Sequence, residues 1–440
     1  MNNDSFLTCK GIKYVTPFIA ITLCFALWGY ANNITNPMIN ALSKIFLLSK
    51  GQSSWINIAF FTGYLALALP AAMVTERFSF KSGVLVGLAL YGIGALLVFP
   101  SKMSGLYIPF VIAYFVMTCG LSFLETSCNP YIYAMGSHET AIQRLNLAQA
   151  FNPIGSMLGL FIAMNYVSSR ISPLTIEARK LMHGPQFEFV KNNDITAVVR
   201  PYIPLFIAIA AMFLLLLFLK IPRECETYAG KNVRHALGNL FGNANYREGV
   251  ITEFFYEGAQ VMCWTFMIPY AINIFTNEGM NASWAFIVAS KYNIMAIAFF
   301  CAARFITTWL MNFIRPGVLM LLASLAAIIF LFGAIFLQDR NGIYCLVLVS
   351  ACMSLMFPTI YGIAFREIGS NIKFGGAGLI MAIFGGLVLP PLQDVIIGNK
   401  TAIMGLPSIN VSFFVPMICF LVVAIYSVRA FRRNKTDVPQ

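Results

Sequence analysis

The sequence predicts an all-α membrane protein of twelve transmembrane helices in two six-helix halves, and three observations predict it. Apolar residues make up 59% of the 440 and charged residues only 10%, with a mean hydropathy of +0.77; soluble domains carry roughly 25% charge. Twelve apolar runs, each close to the ~20 residues that span a bilayer, fall at 14–41, 54–75, 81–100, 106–134, 145–167, 202–221, 248–275, 282–310, 316–337, 342–365, 374–398 and 408–431. A polar and basic stretch, 222–247, sets the first six runs apart from the last six. A soluble enzyme is excluded by this composition. An outer-membrane barrel is excluded by stretches such as Ala208 to Leu219, which lack the polar alternation of a barrel strand.

The expected organisation is an N-terminal half over 1–221, a cytoplasmic linker over 222–247 and a C-terminal half over 248–440. Most of the 29 Lys and Arg lie in the tails and even-numbered loops, which places both termini in the cytoplasm and the chain in the cytoplasmic (inner) membrane. Half of the contrary charge comes from one long loop, 167–200. The net charge of +12 is therefore a topology signal; no basic stripe suited to nucleic acid exists. The ten cysteines show no CxxC pair or zinc spacing and are expected to pack. The three histidines fall in loops, so no metal site, cofactor or catalytic group is expected, and the protein is expected to be a monomer in the lipid bilayer. The first run follows Lys10 and Lys13 without a small-residue cleavage site and reads as a retained span. Two six-helix halves are the plan of the major facilitator superfamily, whose substrate site lies between the halves near the midplane. The loop after the second run, Ala72 to Lys81 with Glu76, Arg77 and Ser79, is a degraded form of that superfamily's G-x-x-x-D-R-x-G-R-R, a composition that latches helix ends.

In chain order, the first run carries Gly29, Asn33, Asn36 and Asn40 on one helical face, with Pro37 freeing a backbone carbonyl. Such amides either form a helix–helix seam or line a cavity and hold ligand hydroxyls. The fourth run sets Ser122, Glu125, Thr126 and Asn129 on one face. A carboxylate within a span costs about 3 kcal/mol and marks a functional site by default, so Glu125 is the expected proton-coupling residue, a structural salt bridge or a permanently protonated acid being the alternative. The fifth run aligns Gln149, Asn152 and Ser156, amides that donate and accept as vicinal sugar hydroxyls do. The seventh aligns Glu253, Glu257, Gln260 and Trp264, and Glu257 is a candidate partner of Lys291 in the eighth; these two are the secondary ionisable candidates. The tenth, Ser354 to Tyr361, is interrupted by Pro358 and offers Phe357 and Tyr361 for packing or for stacking on a sugar. The eleventh gathers Gly375, Gly376, Gly378, Gly385, Gly386, Pro390 and Pro391, which permit close approach and bending.

Ala31-Asn32-Asn33, Leu124-Glu125-Thr126 with Asn129-Pro130, and Arg144 through Asn152 resemble the fucose-proton symporter family of the major facilitator superfamily. The same order continues in Phe255 to Gln260, Arg304-Phe305 with Thr308 to Met311, Phe357-Pro358-Thr359 and Gly385-Gly386 before Pro390. The resemblance implies sugar uptake through a central cavity reached alternately from each side. It implies that Glu125 is the glutamate of the family's acidic pair, and that Asn33, Gln149 and Asn152 are amides near the sugar. The family's span-one aspartate falls on Asn36, which cannot titrate.

The expected function is import of a monosaccharide, L-fucose or a related hexose, by proton symport with alternating access. Glu125 is its proton carrier, and Asn33, Asn36, Glu125, Asn129, Gln149, Asn152, Gln260 and Phe357 contact the sugar. Uncoupled or sodium-coupled carriage is the alternative, and a non-transporting sugar sensor the alternative of another class.

Overall fold

A bilayer interior offers no water to a free N–H or C=O, so each spanning segment has to satisfy its own backbone, and the apolar runs fold as helices accordingly. The computed structural model describes residues 5–167, 169–220, 233–399 and 405–436, without the side chains of Asn32, Thr35, Asn36, Pro37, Lys50 and 434–436. A two-stranded antiparallel hairpin, β1 (Thr8–Cys9) and β2 (Ile12–Lys13), precedes the helices. Ten helical stretches among the described residues are long and apolar enough to cross a membrane. Two further helices bring the spans to twelve: α1 (Val15–Ile45), apolar over Val15–Ala31 before its amides begin, and the 34-residue seventh span, which carries Glu253 and Glu257.

By packing, the chain divides into two compact units, Met1–Gly136 with Phe151–Gly230, and Ser137–Ala150 with Lys231–Gln440. The first unit holds α1, α2 (Lys50–Arg77), α3 (Phe80–Ser104) and α4 (Ile108–Ala134). The fifth span breaks at Ala150: α5 (Ala141–Gln149) belongs to the second unit and α6 (Phe151–Ile162), which continues into a π-helical turn over Ala163–Val167, to the first. The loop over 167–200 is itself folded, as α7 (Ile176–Lys180) and α8 (Gly184–Val199), before the sixth span, α9 (Tyr202–Phe218). Arg179 pins that connection: it meets Asp194 at 2.5 Å and donates to the carbonyls of Leu174 and Ser172, while Asp194 also accepts from the N–H of Ser172.

The second unit continues with α10 (Val233–Gly242), so part of 222–247 is helical, then α11 (Ala244–Asn277), α12 (Ala282–Leu310) and α13 (Pro316–Phe336). The tenth span is broken at Ser354 into α14 (Arg340–Met353) and α15 (Met356–Phe365). The eleventh is α16 (Ile372–Met381), α17 (Gly385–Val388) and α18 (Pro390–Gly398), as its glycines and prolines suggest. The last comprises α19 (Ser408–Val411) and α20 (Phe414–Thr436). Polar side chains set several starts: Ser49 and Gln52 form a capping box on α2, and Ser79, Asn243, Asn281 and Asp339 cap α3, α11, α12 and α14. In the degraded loop motif, Lys81 donates to the carbonyls of Leu217 and Leu219 and so holds the C-terminal end of α9.

The two units repeat one packing scheme. In the first, α3 and α2 pack on α4, α1 on α6 and α3 on α9; in the second, α13 and α12 pack on α14, α11 on α17 and α13 on α20. In span numbers these are pairs 3–4, 2–4, 1–5 and 3–6, then the same pairs six spans later. Glycines permit the close 1–5 and 7–11 contacts: a Cβ on Gly29 would stand 2.0 Å from the carbonyl oxygen of Asn152, one on Gly155 1.9 Å from that of Ala26, and one on Gly385 2.0 Å from that of Phe254. Any side chain there would force the helices apart.

Candidate functional site

In the first unit the carboxylate expected from the fourth run sits deep in the packing. Glu125 is 2% exposed, and Tyr64 of α2 donates its hydroxyl to Glu125 Oε1 at 2.8 Å. One turn earlier on α4, Ser122 donates to the carbonyl of Tyr64 at 3.2 Å, so the partner's backbone is held by the same helix that carries the acid. The helix supports this placement because nearly every residue from Met117 to Tyr133 is buried, including Thr126 and Asn129. A hydrogen bond between a phenol and an ionised carboxylate is worth about 1.5–3 kcal/mol, enough to offset much of the cost of the acid in a span.

Asn33 on α1 and Asn152 on α6 are partly exposed, on two helices brought close by Gly29. Ser156, on the same stripe, is already engaged by the carbonyl of Gly29 at 3.2 Å. The side chain of Asn36 lies outside the described residues. Glu125, Asn129, Asn33 and Asn152 thus belong to one unit, whereas Gln149, Gln260, Phe357, Glu257 and Lys291 belong to the other. The fifth-run stripe of Gln149, Asn152 and Ser156 is therefore divided between the units, because the helix breaks at Ala150.

The second unit is organised around a residue that the charge pattern counts among the loop cations. Arg304 lies inside α12, 3% exposed. Its Nε donates to the carbonyl of Ser354, its NH1 donates to the carbonyl of Gln149 at 3.0 Å, and its guanidinium stands 4.6 Å from the ring centre of Phe300. The choice of carbonyls has a covalent origin. Pro358 follows Ser354 by four residues and Pro153 follows Gln149 by four, so neither carbonyl has its helical N–H partner. Arg304 fills both vacancies with one side chain. Gln149 itself is buried; Asn146, one turn before it, donates to Thr359 of α15 at 3.3 Å, and Gln143 to Asn312 at 2.9 Å.

Glu257 is partly exposed on α11. Lys291 is exposed, and no ion pair joins it to Glu257 among the described residues. Gln260 is partly exposed one turn beyond Glu257, and Trp264 one turn further donates its indole N–H to Ser350 at 2.9 Å. Phe357 is buried against Tyr361, their rings nearly parallel with centroids 6.1 Å apart. The cysteines within the spans are free thiols, most of them buried, and no cluster of metal-binding side chains occurs among the described residues.

Sequence reasoning missed Tyr64 and the role of Arg304. Tyr64 carries no sequence signal, being one aromatic in an apolar run. Arg304 has one: a cation within a run, with two carbonyls freed by proline elsewhere in the chain.

Twelve spans among the described residues, a packing scheme repeated in the two units and a glutamate buried within a span define a secondary transporter, and the comparisons agree with that class. The model of the Major Facilitator Superfamily matches residues 21–389, and the chain belongs to that superfamily. It is 41% identical over 428 residues to the L-fucose-proton symporter of Haemophilus influenzae, covering 96% of this chain and 97% of that one. It is 28% identical over 418 residues to a glucose/galactose transporter of Brucella abortus, covering 94% of each. In three dimensions it matches the crystal structure of the superfamily transporter FucP in the outward conformation, with a TM-score of 0.84, 28% identity and coverage of 95% of this chain and 99% of that one. The chain is a multi-pass membrane protein.

Proposed function

We propose that this protein imports a monosaccharide, L-fucose or a related hexose, by proton symport with alternating access, and that Glu125 carries the proton. The observation that carries the reading is the Glu125 carboxylate, dehydrated within a span and met by the Tyr64 hydroxyl. A carboxylate so placed exchanges a proton only when the protein gives it access to one side. Similarity over almost the whole chain to a fucose-proton symporter and to a glucose/galactose transporter supports both the proton and the class of sugar. The sugar contacts in this reading are Asn33, Asn36, Glu125, Asn129, Gln149, Asn152, Gln260 and Phe357. The chain acts as a monomer in the cytoplasmic (inner) membrane with both termini in the cytoplasm, its halves 1–221 and 248–440 joined by a cytoplasmic linker over 222–247.

The test is uptake of labelled hexoses into proteoliposomes with and without an inward proton gradient, sodium absent. One charge moved through 100 mV is worth about 2.3 kcal/mol, roughly a 50-fold concentration ratio, so coupled accumulation is easily separated from equilibration. Accumulation that collapses with a protonophore supports the reading. The amide at Asn36 favours a second reading, an uncoupled or sodium-coupled carrier. Equilibration alone, or accumulation only after sodium is added, would establish it.

A further inference from the structure

We infer that Trp264 is a stacking platform for the sugar in the second unit, presenting its indole ring to the C–H face of a pyranose whose hydroxyls meet the amide of Gln260 beside it. The inference rests on the monosaccharide reading above and adds to it a residue that selects sugars by the shape of their apolar face.

Trp264 is held by contacts from two other helices and is still reachable. It lies well inside α11 (Ala244–Asn277), and its indole N–H donates to Ser350 Oγ of α14 at 2.9 Å. Its main-chain carbonyl accepts from the side-chain amide of Asn293 on α12 at 2.9 Å. Two turns further along α12, Phe300 packs edge-to-face with the ring, the centroids 5.2 Å apart and the planes at 74°. Ser350 and Phe300 are buried, so packing fixes the supports in turn. Trp264 nevertheless keeps part of its surface open.

That open part faces water rather than lipid. Glu257, Gln260 and Trp264 follow one another at spacings of three and four along α11, which is one face of the helix, and all three are partly exposed. A carboxylate within a span turns to the bundle interior or to a water-filled cavity, and the ring that shares its stripe opens on the same space. An interfacial tryptophan sits at the end of a span among headgroups; the N–H of Trp264 is instead engaged by a buried serine.

With its only donor engaged, the indole offers a ligand a flat apolar surface. The part of a monosaccharide that matches such a surface is the patch of C–H bonds on one side of the pyranose ring. The hydroxyls at the rim of that patch suit Gln260, whose amide both donates and accepts and has no hydrogen bond among the described residues. A ring already immobilised loses little freedom when a ligand stacks on it. Asn293 and Ser350 are then positioning residues, acting through the indole.

The experiment measures binding of L-fucose, D-galactose and D-glucose, and of the open-chain alditols of the same hexoses, to the purified full-length protein by calorimetry, for wild type, Trp264→Phe and Trp264→Leu. Melting temperatures of the same samples report any loss of packing separately. The Kd for the preferred hexose should rise about tenfold in W264L, which has no ring, and about threefold or less in W264F, which keeps one. Binding to W264L within about twofold of wild type overturns the inference while leaving the monosaccharide reading intact. An equal loss in W264F and W264L does the same. Wild type that binds none of the hexoses overturns the monosaccharide reading and this inference with it. If W264L does not fold, the alditols decide on wild type, because they keep the hydroxyls and lose the ring face. Binding weaker than that of the hexose by about tenfold or more supports the platform, and equal binding overturns it.

Discussion

Arg304 NH1 donates to the main-chain carbonyl of Gln149 at 3.0 Å, across 155 positions of sequence, and that carbonyl is one that Pro153 leaves without a helical partner. Together with the bond from Nε to Ser354, it means that two interrupted helices of the second unit are completed by one side chain from a third. Prolines in spans are tolerated where neighbours satisfy the freed backbone, and here the neighbour is a cation that is itself costly to bury.

Replacing Arg304 with Met should therefore lower stability by about 2–6 kcal/mol, since two buried carbonyls lose their partners at about 1–3 kcal/mol each. In a Pro358→Ala background the helical N–H returns to Ser354, and the cost of Arg304→Met should fall by about 1 kcal/mol or more. Thermal unfolding of the four purified proteins in one detergent checks both values. Strict additivity would show that Arg304 does not act through the Ser354 carbonyl.

Glu125→Gln should abolish proton-driven accumulation while leaving sugar exchange, because the amide preserves shape and cannot carry the proton. Tyr64→Phe removes the hydroxyl that the carboxylate accepts and should displace the midpoint of the pH profile of exchange. Counterflow at several pH values reads both effects. Accumulation that survives in E125Q rules the acid out as the carrier.

Gly29→Ala and Gly385→Ala each place a methyl group 2.0 Å from a carbonyl oxygen on a facing helix. Overpacking of that kind costs about 1–3 kcal/mol or more, and both variants should melt earlier than wild type. Gly238→Ala in α10, where nothing stands within 4 Å of the new carbon, should be neutral or stabilising by about 0.5–1 kcal/mol, as expected for Gly in a helix. A melt of G29A unchanged from wild type would mean that α1 and α6 are not in contact there.

The connection between spans five and six should depend on its buried ion pair. Asp194→Asn leaves the guanidinium of Arg179 enclosed without its carboxylate, and breaking such a pair costs about 3–5 kcal/mol. Limited proteolysis of intact protein in detergent should then cut near 170–195 where wild type resists. Equal resistance would show that the carbonyls of Leu174 and Ser172 hold Arg179 by themselves.

The candidate site was legible where one residue type is out of place on one helix. Glu125 stands out because a carboxylate in a span is expensive, and the interruptions at Pro358 and in the glycine-rich eleventh run follow from local backbone chemistry. The pairing offered for Glu257 with Lys291 was not legible. Both are ionisable residues on consecutive spans, but Lys291 is exposed and no ion pair joins the two among the described residues. The stripe of Gln149, Asn152 and Ser156 was legible as a periodicity and misleading as a surface, since the break at Ala150 assigns its members to different units.

By itself the sequence determined the spans, their number and the interruptions at Pro358 and in the eleventh run, because in a bilayer each segment closes its own hydrogen bonds, and apolarity, proline and capping residues act within a few positions. Only the tertiary structure decided that Tyr64 meets Glu125 and that Arg304 fills the carbonyls of both Gln149 and Ser354. Those pairings join residues 50 to 155 positions apart, and which polar group reaches which depends on how whole helices pack rather than on any pattern along one of them.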